Sequence, residues 1–270
     1  MAEPTLSFSG SIPQLYDRYL GPVLFEPYAI DLARRVAAHG AGPVLEMACG
    51  TGIVTRQLRA HLSPSVKIIA TDLSQPMLDY AQVKLGTLQN VDWQQADIAA
   101  LPFPDTSFPT VVCQFGLMFV PDKQAAFREA RRVLSKGGLF AFNVWDTIAT
   151  NPFVDISHKT LARLFPADPP QFFTPFIFND HHVLRQLLTT NGFANVQLET
   201  VTFPAHSESA KALATGFLQG SPLSAALQDR GASLDAITDA VAQDLAQHGG
   251  AAPFRSTLQA VVVTAQAGGA

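Results

Sequence analysis

The sequence predicts an α/β protein in which helices cover both faces of a mostly parallel sheet. Short, continuous apolar runs alternate with amphipathic segments through the first half of the chain, and a glycine-rich turn follows the first run directly. The hydrophobic share is 47% and the charged share only 15%, which indicates a large core. Continuous apolar runs are typical of strands buried on both faces, and crossover helices on each side of a parallel sheet produce such strands.

The predicted helices follow from apolar residues that recur every three or four positions. Gly40 ends the first helix, and Ser74 and Pro76 suit the start of the third. Asp122 suits the start of the fourth helix, and Gly137–Gly138 are expected to end it. The predicted helices cover residues 24–38, a segment from 53 onward, 74–86, 122–134 and 181–193.

The predicted strands follow from the apolar runs between these helices. They lie at residues 42–47, 66–71, 110–115, 139–145, 194–203 and 254–266. Open parallel sheets bind their ligands at the carboxyl ends of the strands. The glycine-rich turn after the first strand therefore stands where a ligand is expected.

The turn in VLEMACGTG (44–52) is compatible with two classes of ligand. A dinucleotide such as NAD or FAD needs the pattern GxGxxG, but the stretch from Gly50 places Thr55 at the third small position. The amino-acid end of S-adenosylmethionine carries an ammonium and a carboxylate. Glu46 can favour the ammonium, directly or through water, and the helix that starts near Ile53 can favour the carboxylate. An acidic residue followed by small-x-Gly-x-Gly favours the second class.

Two further aspartates fit a nucleoside. Asp72 ends the second strand 20 residues after Gly52, and a carboxylate there can accept hydrogen bonds from both ribose hydroxyls, a contact shared with NAD proteins. Asp97, in QQADIAALPFPDTSF (94–108), can accept from the adenine amino group, and the backbone N–H of Ile98 can bond the ring. The alternatives are a charge at a helix start for Asp72 and a solvated loop residue for Asp97, and the spacing after the turn favours the nucleoside.

Together these motifs resemble class I S-adenosylmethionine-dependent methyltransferases, and among them the branch of the ubiquinone/menaquinone-biosynthesis (methyltransferase type 11) enzymes. The resemblance covers 44–146, roughly two-fifths of the chain, and rests on VLEMACGTG, ATDLSQPML, QADIAALPFPDTSF, CQFGLMFVPD and EARRVLSKGG. It implies a Rossmann-like three-layer sandwich with a seven-stranded, mostly parallel sheet of order 3-2-1-4-5-7-6, the last strand antiparallel, and a helical substrate cap. It also implies S-adenosyl-L-methionine as cofactor, with S-adenosyl-L-homocysteine as product. The acceptor stays open, because a fold does not determine a function.

The resemblance also implies a set of cofactor contacts. Leu73 and Met77 would pack near the adenine, and Gln114 would lie by the methionine amino group and the mouth of the acceptor site. Tyr16 resembles a tyrosine that often closes over the cofactor in this branch, although it is equally consistent with a core aromatic. The expected cofactor-binding residues are Tyr16, Glu46, Ala48, Gly50, Gly52, Asp72, Leu73, Met77, Asp97, Ile98 and Gln114.

Three positions depart from the family pattern. Ala48 stands in place of the first glycine of the turn, a change common in this branch. Pro109 follows Phe108 where an aspartate usually precedes the fourth strand, and proline is tolerated at the first residue of a strand. Lys136 replaces the proline before the double glycine. None of these changes removes an expected cofactor contact.

The resemblance implies a single methyltransferase domain over 1–270. An N-terminal helical segment (1–40) precedes the cofactor-binding core (41–146), and the remainder of the core carries cap insertions at 147–179 and about 205–253. The first insertion contains FPADPPQFFTPFIF, which combines four prolines with five phenylalanines and predicts a stiff lid over an apolar pocket. The alternative is that these rings only pack the lid on the sheet. The expected substrate-pocket residues are Phe115, Met118, Phe119, Phe172 and Phe173.

The expected reaction is in-line displacement of a methyl group from a sulfonium onto a small, lipophilic or aromatic acceptor. Such a reaction needs alignment and exclusion of water, and a general base only where the nucleophile is poor. The histidines of the second half are candidates for such a base, but none of them stands out, so no catalytic residue is predicted. The alternatives are a protein that binds S-adenosylmethionine without catalysis and an NAD-dependent oxidoreductase.

The composition excludes several other classes. The formal net charge of −4 and the lack of long Lys/Arg runs argue against non-specific nucleic-acid binding. The only cysteines, Cys49 and Cys113, form no CxxC and suggest neither a disulfide framework nor a metal site. The start of the chain lacks a signal-peptide pattern, and no apolar stretch is long enough to span a bilayer. We therefore expect a cytoplasmic protein, with oligomer formation left open.

Overall fold

The computed structural model describes residues 10–40, 42–170, 174–231 and 233–268, and its strands form one seven-stranded sheet. The strand order is β3-β2-β1-β4-β5-β7-β6, and β7 runs antiparallel to β5, so the predicted topology is confirmed. The strands are Val44–Met47 (β1), Ile68–Asp72 (β2), Val91–Gln95 (β3), Phe108–Gln114 (β4), Leu134–Trp145 (β5), Phe193–Ser207 (β6) and Phe254–Ala267 (β7).

The described helices include every helix that the sequence predicts, with shifted ends. A π-helical segment, Tyr16–Phe25, precedes the second α-helix, and short 3-10 turns lie at Leu117–Phe119, Ile148–Thr150 and Thr174–Phe176. The α-helices are Ile12–Leu15 (α1), Glu26–His39 (α2), Ile53–His61 (α3), Gln75–Leu85 (α4), Lys123–Val133 (α5), Pro152–Leu164 (α6), His181–Thr190 (α7), Ala210–Gln219 (α8), Leu223–Gln228 (α9) and Leu234–Gly249 (α10). No helix in this described part of the chain has the length and apolar character to cross a membrane.

The chain divides into two compact units. The sheet unit comprises Glu26–Thr147, Thr174–Val201 and Gln259–Ala270, and it contains β1–β5 with α2–α5 and α7. The helical unit comprises Met1–Phe25, Ile148–Phe173 and Thr202–Leu258, and it contains α1, α6 and α8–α10. The cofactor motifs from the first half of the sequence all fall in the sheet unit.

The prediction for the end of the fourth helix is wrong. The helix α5 ends at Val133, and Gly137–Gly138 lie inside β5 instead of terminating the helix. The reason is a non-local pairing, because Leu134 already pairs with Phe108 of β4 and the register shifts immediately afterwards. A Cβ on Gly138 would lie 2.9 Å from the carbonyl oxygen of Pro109, so the glycine permits close approach of two backbones at this irregularity.

Two helix starts differ in how they are capped. Asp122 accepts from the backbone N–H of Ala125 at 2.9 Å, so the predicted N-cap of α5 is confirmed. Ser74 occupies the N-cap position of α4, but its side chain makes no capping bond. Instead, the Ser74 backbone N–H donates to Asp72 at 2.8 Å. The start of α4 is thus attached to the aspartate that ends β2.

The sheet unit has an aromatic core that its helices cover. Phe127 of α5 is fully buried and meets Phe140 and Phe142 of β5 edge-on, with ring centroids 5.9 and 5.6 Å apart. Burial of one such side chain stabilises a fold by about 1.5–3 kcal/mol. In parallel register Met47 pairs with both Thr71 and Cys113. The carboxyl ends of β2, β1 and β4 therefore meet at one edge of the sheet.

The helical unit has its own core. Phe153 of α6 stacks on Phe217 of α8 at 5.8 Å and meets Phe254 edge-on at 6.3 Å. Asp244 of α10 accepts from Thr160 of α6 at 2.6 Å, which joins these two helices. These contacts join α6, in the first predicted cap segment, to α8 and α10 in the second.

Candidate cofactor site

The glycine-rich turn between β1 and α3 has a left-handed backbone at three positions, with φ of 55° at Ala48, 55° at Gly50 and 79° at Gly52. The glycines have different surroundings. A Cβ on Gly50 would meet no atom within 4 Å, whereas a Cβ on Gly52 would lie 2.6 Å from Leu85 and 3.1 Å from Trp93. Gly50 therefore leaves open space beside the backbone for a ligand, and Gly52 lets α3 pack against α4 and β3.

Glu46 is a buried carboxyl group with only 1% of its surface exposed. The Thr55 hydroxyl donates to it at 2.7 Å, and no basic side chain in the described part of the chain pairs with it. Burial is the largest effect and raises the pKa of Glu46 to about 8, the Thr55 hydrogen bond opposes this shift, and the nearby Asp72 adds to it. A cationic ligand group would supply the missing partner.

Asp72 links the end of β2 to the turn. Its Oδ2 accepts from the Gly50 backbone N–H at 2.7 Å, and its Oδ1 accepts from Ser74 N–H at 2.8 Å. Burial raises its pKa, and these backbone hydrogen bonds oppose the shift. A carboxylate has about four accepting sites, so these two bonds leave room for the hydroxyls of a ribose.

The residues expected around the adenine lie at the ends of β2 and β3. The backbone N–H of Ala96 donates to the Asp72 carbonyl at 3.0 Å, which brings the next loop against the end of β2. In this loop Asp97 is exposed and accepts from Ala99 N–H at 2.8 Å, while Ile98 is buried. The two side chains expected to pack near the adenine differ in exposure: Leu73 is 57% exposed and Met77 is buried.

The end of β4 lies behind the turn. A Cβ on Gly116 would collide with the Cβ of Ala48, so glycine is required where the two segments touch. Phe115 has a left-handed φ of 52°, and its backbone N–H donates to both the carbonyl and the Oδ1 of Asn143 at 3.1 Å. Asn143 Nδ2 also donates to Gln114 Oε1 at 3.5 Å.

Phe115, the first of the expected pocket residues, belongs to an aromatic cluster. Phe115 stacks on Trp145 with ring centroids 3.6 Å apart, and Tyr28 meets both rings edge-on at 5.4 and 5.6 Å. The Met118 sulfur accepts from Trp145 N–H at 3.4 Å, and Phe119 is 42% exposed. Phe176 also stacks on Trp145, with ring centroids 6.1 Å apart. Phe172 and Phe173 lie outside the described residues.

Tyr16 belongs to the helical unit. It begins the π-helical segment and stacks on Phe25 with ring centroids 4.8 Å apart. Its role at the cofactor stays a prediction.

Sequence reasoning missed three polar residues around the turn. Thr55 carries the hydrogen bond to Glu46, and Asn143 bonds the end of β4. Thr51 is 1% exposed, and its hydroxyl has no hydrogen-bond partner among the described residues. Asn143 could have been found as the polar letter in the apolar run LFAFNVW, whereas the two threonines carry no comparable signal.

The turn fits the amino-acid end of S-adenosylmethionine. Among the described residues, it combines open space at Gly50, a buried Glu46 without a cationic partner and a Thr51 hydroxyl without a hydrogen-bond partner. These groups match a ligand with both an ammonium and a carboxylate, because buried polar groups require partners. No group of three or more His, Cys, Asp or Glu side chains suited to a metal occurs within the described ranges.

Comparison with known proteins places the same segment in a methyltransferase family. The model of a methyltransferase domain matches residues 44–138. Demethylmenaquinone methyltransferase of Staphylococcus aureus is 33% identical over a match of 210 residues, and the match covers 71% of this chain and 86% of that protein. The ubiquinone/menaquinone biosynthesis C-methyltransferase of Hahella chejuensis is 37% identical over 142 residues, which are 52% of this chain and 55% of that protein.

A solved structure agrees at the level of the fold. Phosphoethanolamine N-methyltransferase 2 of Haemonchus contortus, in complex with phosphomonomethylethanolamine and S-adenosylhomocysteine, matches with a TM-score of 0.60 and 14% identity. The match covers 95% of this chain and 57% of that chain. At this identity the likeness extends to the fold alone.

The fold and the site define a Rossmann-like methyltransferase that uses S-adenosyl-L-methionine. More particularly, the chain belongs to the class I S-adenosylmethionine-dependent methyltransferases, in the branch of the ubiquinone/menaquinone-biosynthesis enzymes. It is therefore a transferase that methylates a small molecule. Neither the comparisons nor the turn supports the alternatives of an NAD-dependent oxidoreductase or a binding protein without catalysis.

Proposed function

We propose that the protein methylates a small, lipophilic aromatic acceptor of the hydroquinone type at a ring carbon. The observation that carries this proposal is the aromatic segment that begins one residue after Gln114, in which Phe115 stacks on Trp145 and Phe119 leaves 42% of its surface exposed. Ring stacking and apolar area suit a lipophilic aromatic compound. The names of the two curated relatives, one of them a C-methyltransferase, support the same class of acceptor.

The proposed cofactor contacts follow the chemistry of the turn. Glu46 would bind the ammonium, Asp72 the ribose hydroxyls, and Asp97 with Ile98 the adenine edge. The remaining proposed contacts are Tyr16, Ala48, Gly50, Gly52, Leu73, Met77 and Gln114. The proposed acceptor-pocket residues are Phe115, Met118, Phe119, Phe172 and Phe173.

The proposed contribution of the protein to the reaction is mainly geometric. When bound, S-adenosylmethionine supplies a methyl group on a sulfonium, which is an excellent leaving group. The side chains around it align the acceptor carbon and exclude water. Methylation at a ring carbon forms a C–C bond as the bond from sulfur to the methyl group breaks, and the proton on that carbon is then released to solvent as the ring regains its aromaticity. A general base is required where the hydroquinone is not ionised, and we assign no residue to this role.

We further propose that the insertions 147–179 and about 205–253 form the substrate cap, and that the protein acts in the cytoplasm on small molecules and not on nucleic acid. The net charge of −4 supports the choice of partner. Substitution of Tyr16, in the N-terminal helical segment, tests the proposed closure of this ring over the cofactor. The affinity for S-adenosylhomocysteine should fall further in Tyr16→Ala than in Tyr16→Phe if the ring covers the cofactor, and equal affinities in all three proteins would contradict this role.

Calorimetric titration with S-adenosylhomocysteine, with NADH as the control ligand, tests the cofactor contacts. Wild-type protein should bind S-adenosylhomocysteine in the micromolar range, on the order of −8 kcal/mol, and Asp72→Ala should abolish this binding. Binding of NADH alone would contradict the proposed site.

Mass spectrometry of product mixtures tests the acceptor. The expected result is a carbon-methylated product from a naphthohydroquinone with a short isoprenoid chain. A matched naphthol with one hydroxyl and an aliphatic amine of similar size serve as control acceptors. Methylation of the amine alone, or of an oxygen alone, would overturn the proposed acceptor and leave the family assignment intact.

A further inference from the structure

Asn143 is a polar residue where the sheet is otherwise apolar. It lies in β5 between Phe142 and Val144, and all three side chains are fully buried. A buried amide destabilises a protein unless it is hydrogen-bonded, so its partners indicate why it is there.

The partners of Asn143 are two consecutive residues at the end of β4. Its Oδ1 accepts from the backbone N–H of Phe115 at 3.1 Å, and its Nδ2 donates to the side-chain oxygen of Gln114 at 3.5 Å. The same Phe115 N–H also donates to the Asn143 carbonyl at 3.1 Å. A single buried side chain thus contacts both the backbone after β4 and the amide side chain before it.

The backbone that Asn143 bonds is strained. Phe115 has a φ of 52°, a left-handed conformation that a bulky residue rarely adopts. A strained backbone conformation persists only where surrounding contacts hold it in place, and such residues cluster at functional sites. Here the Asn143 bonds and the stack of Phe115 on Trp145 hold the conformation, and Gly116 then abuts Ala48, which is also left-handed.

We propose that Asn143 is a positioning residue for the amino-acid end of the cofactor. It holds the Gln114–Phe115 step in its left-handed geometry and orients the Gln114 amide toward the methionine portion. This inference rests on the proposed function, in which Gln114 lies by the methionine amino group. Asn143 itself does not touch the cofactor.

The affinities for two ligands distinguish a positioning role of Asn143 from a general structural role. S-adenosylhomocysteine carries the amino-acid end, whereas 5′-methylthioadenosine has the same nucleoside without it. In Asn143→Ala the affinity for S-adenosylhomocysteine should fall about tenfold, which is the scale of one hydrogen bond to a charged ligand. The affinity for 5′-methylthioadenosine should stay within twofold. Calorimetry on folded protein measures both, and Asn143→Asp, which keeps the acceptor for Phe115 N–H, should recover part of the loss.

Equal loss of both ligands would overturn the proposal, since it would mean that Asn143 only supports the fold. Unchanged affinity for S-adenosylhomocysteine would overturn it too. If Asn143→Ala does not fold, Asn143→Asp provides the test, because it keeps the acceptor for the Phe115 N–H and removes the Nδ2 donor to Gln114. This variant must show the same selective loss. Failure of wild-type protein to bind S-adenosylhomocysteine would instead refute the proposed function, and with it this inference.

Discussion

Two glutamates in the sheet unit have opposite surroundings. Glu129 of α5 accepts two hydrogen bonds from Arg132, at 2.8 and 2.7 Å, and a third from Leu101 N–H at 2.8 Å, and Arg132 lowers its pKa. Glu46 at the end of β1 is more deeply buried, receives one hydroxyl hydrogen bond, and has a pKa of about 8. A carboxylate with a structural role has a cationic partner within the folded chain. A buried carboxylate without such a partner indicates a ligand that supplies the cation.

Among substitutions that only neutralise a charge, the largest expected effect comes from Glu46. In Glu46→Gln the affinity for S-adenosylhomocysteine should fall about 100-fold, because a charge-assisted hydrogen bond to the ammonium contributes about 1.5–3 kcal/mol. The melting temperature of the ligand-free protein at pH 8.5 should rise, because the buried charge is gone. Calorimetry and thermal melts measure the two changes.

Glu129→Gln is the matched control for this substitution. Its melting temperature should fall, because Arg132 loses one of its two carboxylate partners and keeps only Asp105. Its affinity for S-adenosylhomocysteine should stay within twofold of wild type. If both variants lost stability and neither lost affinity, the distinction between the two glutamates would be wrong.

A second substitution sharpens the distinction within the site. Asp72→Asn should weaken S-adenosylhomocysteine and 5′-methylthioadenosine by the same factor, about tenfold, because both ligands carry the ribose and each hydroxyl bond to a charged group contributes about 1.5 kcal/mol. Glu46→Gln should spare 5′-methylthioadenosine, which has no ammonium. Titration of both ligands into both variants measures these affinities. If the two variants lost affinity for the two ligands in the same ratio, Glu46 and Asp72 would not bind separate parts of the ligand.

The pH dependence should have opposite signs for the two glutamates. The folded pKa of Glu46 is raised, so its contribution to the stability of the ligand-free protein is present below about pH 4.5 and is lost as the pH rises toward 8. The folded pKa of Glu129 is lowered, so its contribution is present above about pH 4.5 and is lost as the pH falls through the folded pKa. Urea denaturation of wild type, Glu46→Gln and Glu129→Gln across this range measures both slopes.

Ligand binding should show the same linkage. The proposed contact with the ammonium requires the ionised form of Glu46. The apparent affinity for S-adenosylhomocysteine should therefore increase by up to about tenfold for each pH unit as the pH rises toward 8, and it should level off above pH 8. Glu46→Gln should remove this dependence. A wild-type affinity that is flat between pH 6 and 8 would mean that Glu46 is already ionised in the ligand-free protein.

The smallest expected effect concerns the strained backbone of the turn. Ala48→Gly should raise the free energy of unfolding by about 1 kcal/mol, because glycine adopts a left-handed φ without the steric cost that alanine incurs. Ala37→Gly, in an exposed position of α2, is the control and should lower it by about 0.5–1 kcal/mol. Denaturant titration measures both, and destabilisation by Ala48→Gly would show that the turn gains more from the alanine methyl group than it loses in strain.

The elements that local sequence specifies were predicted well. The run VLEMACGTG led to the correct strand, turn and helix start, because apolar burial, positive φ and helix initiation all act over a few residues. The boundary after α5 was wrong, because the pairing of Leu134 with Phe108 competes with the helix and joins residues far apart in the chain.

The sequence by itself determined the class of fold, the cofactor and the strand ends at which Glu46, Asp72 and Gln114 lie, because motif order and spacing carry that information. Only the tertiary structure decided what surrounds them. The raised pKa of Glu46 depends on burial, and the strain at Phe115 depends on Asn143, 28 positions away. Such effects arise from contacts between strands, and a local sequence pattern does not specify which distant residues the folded chain brings together.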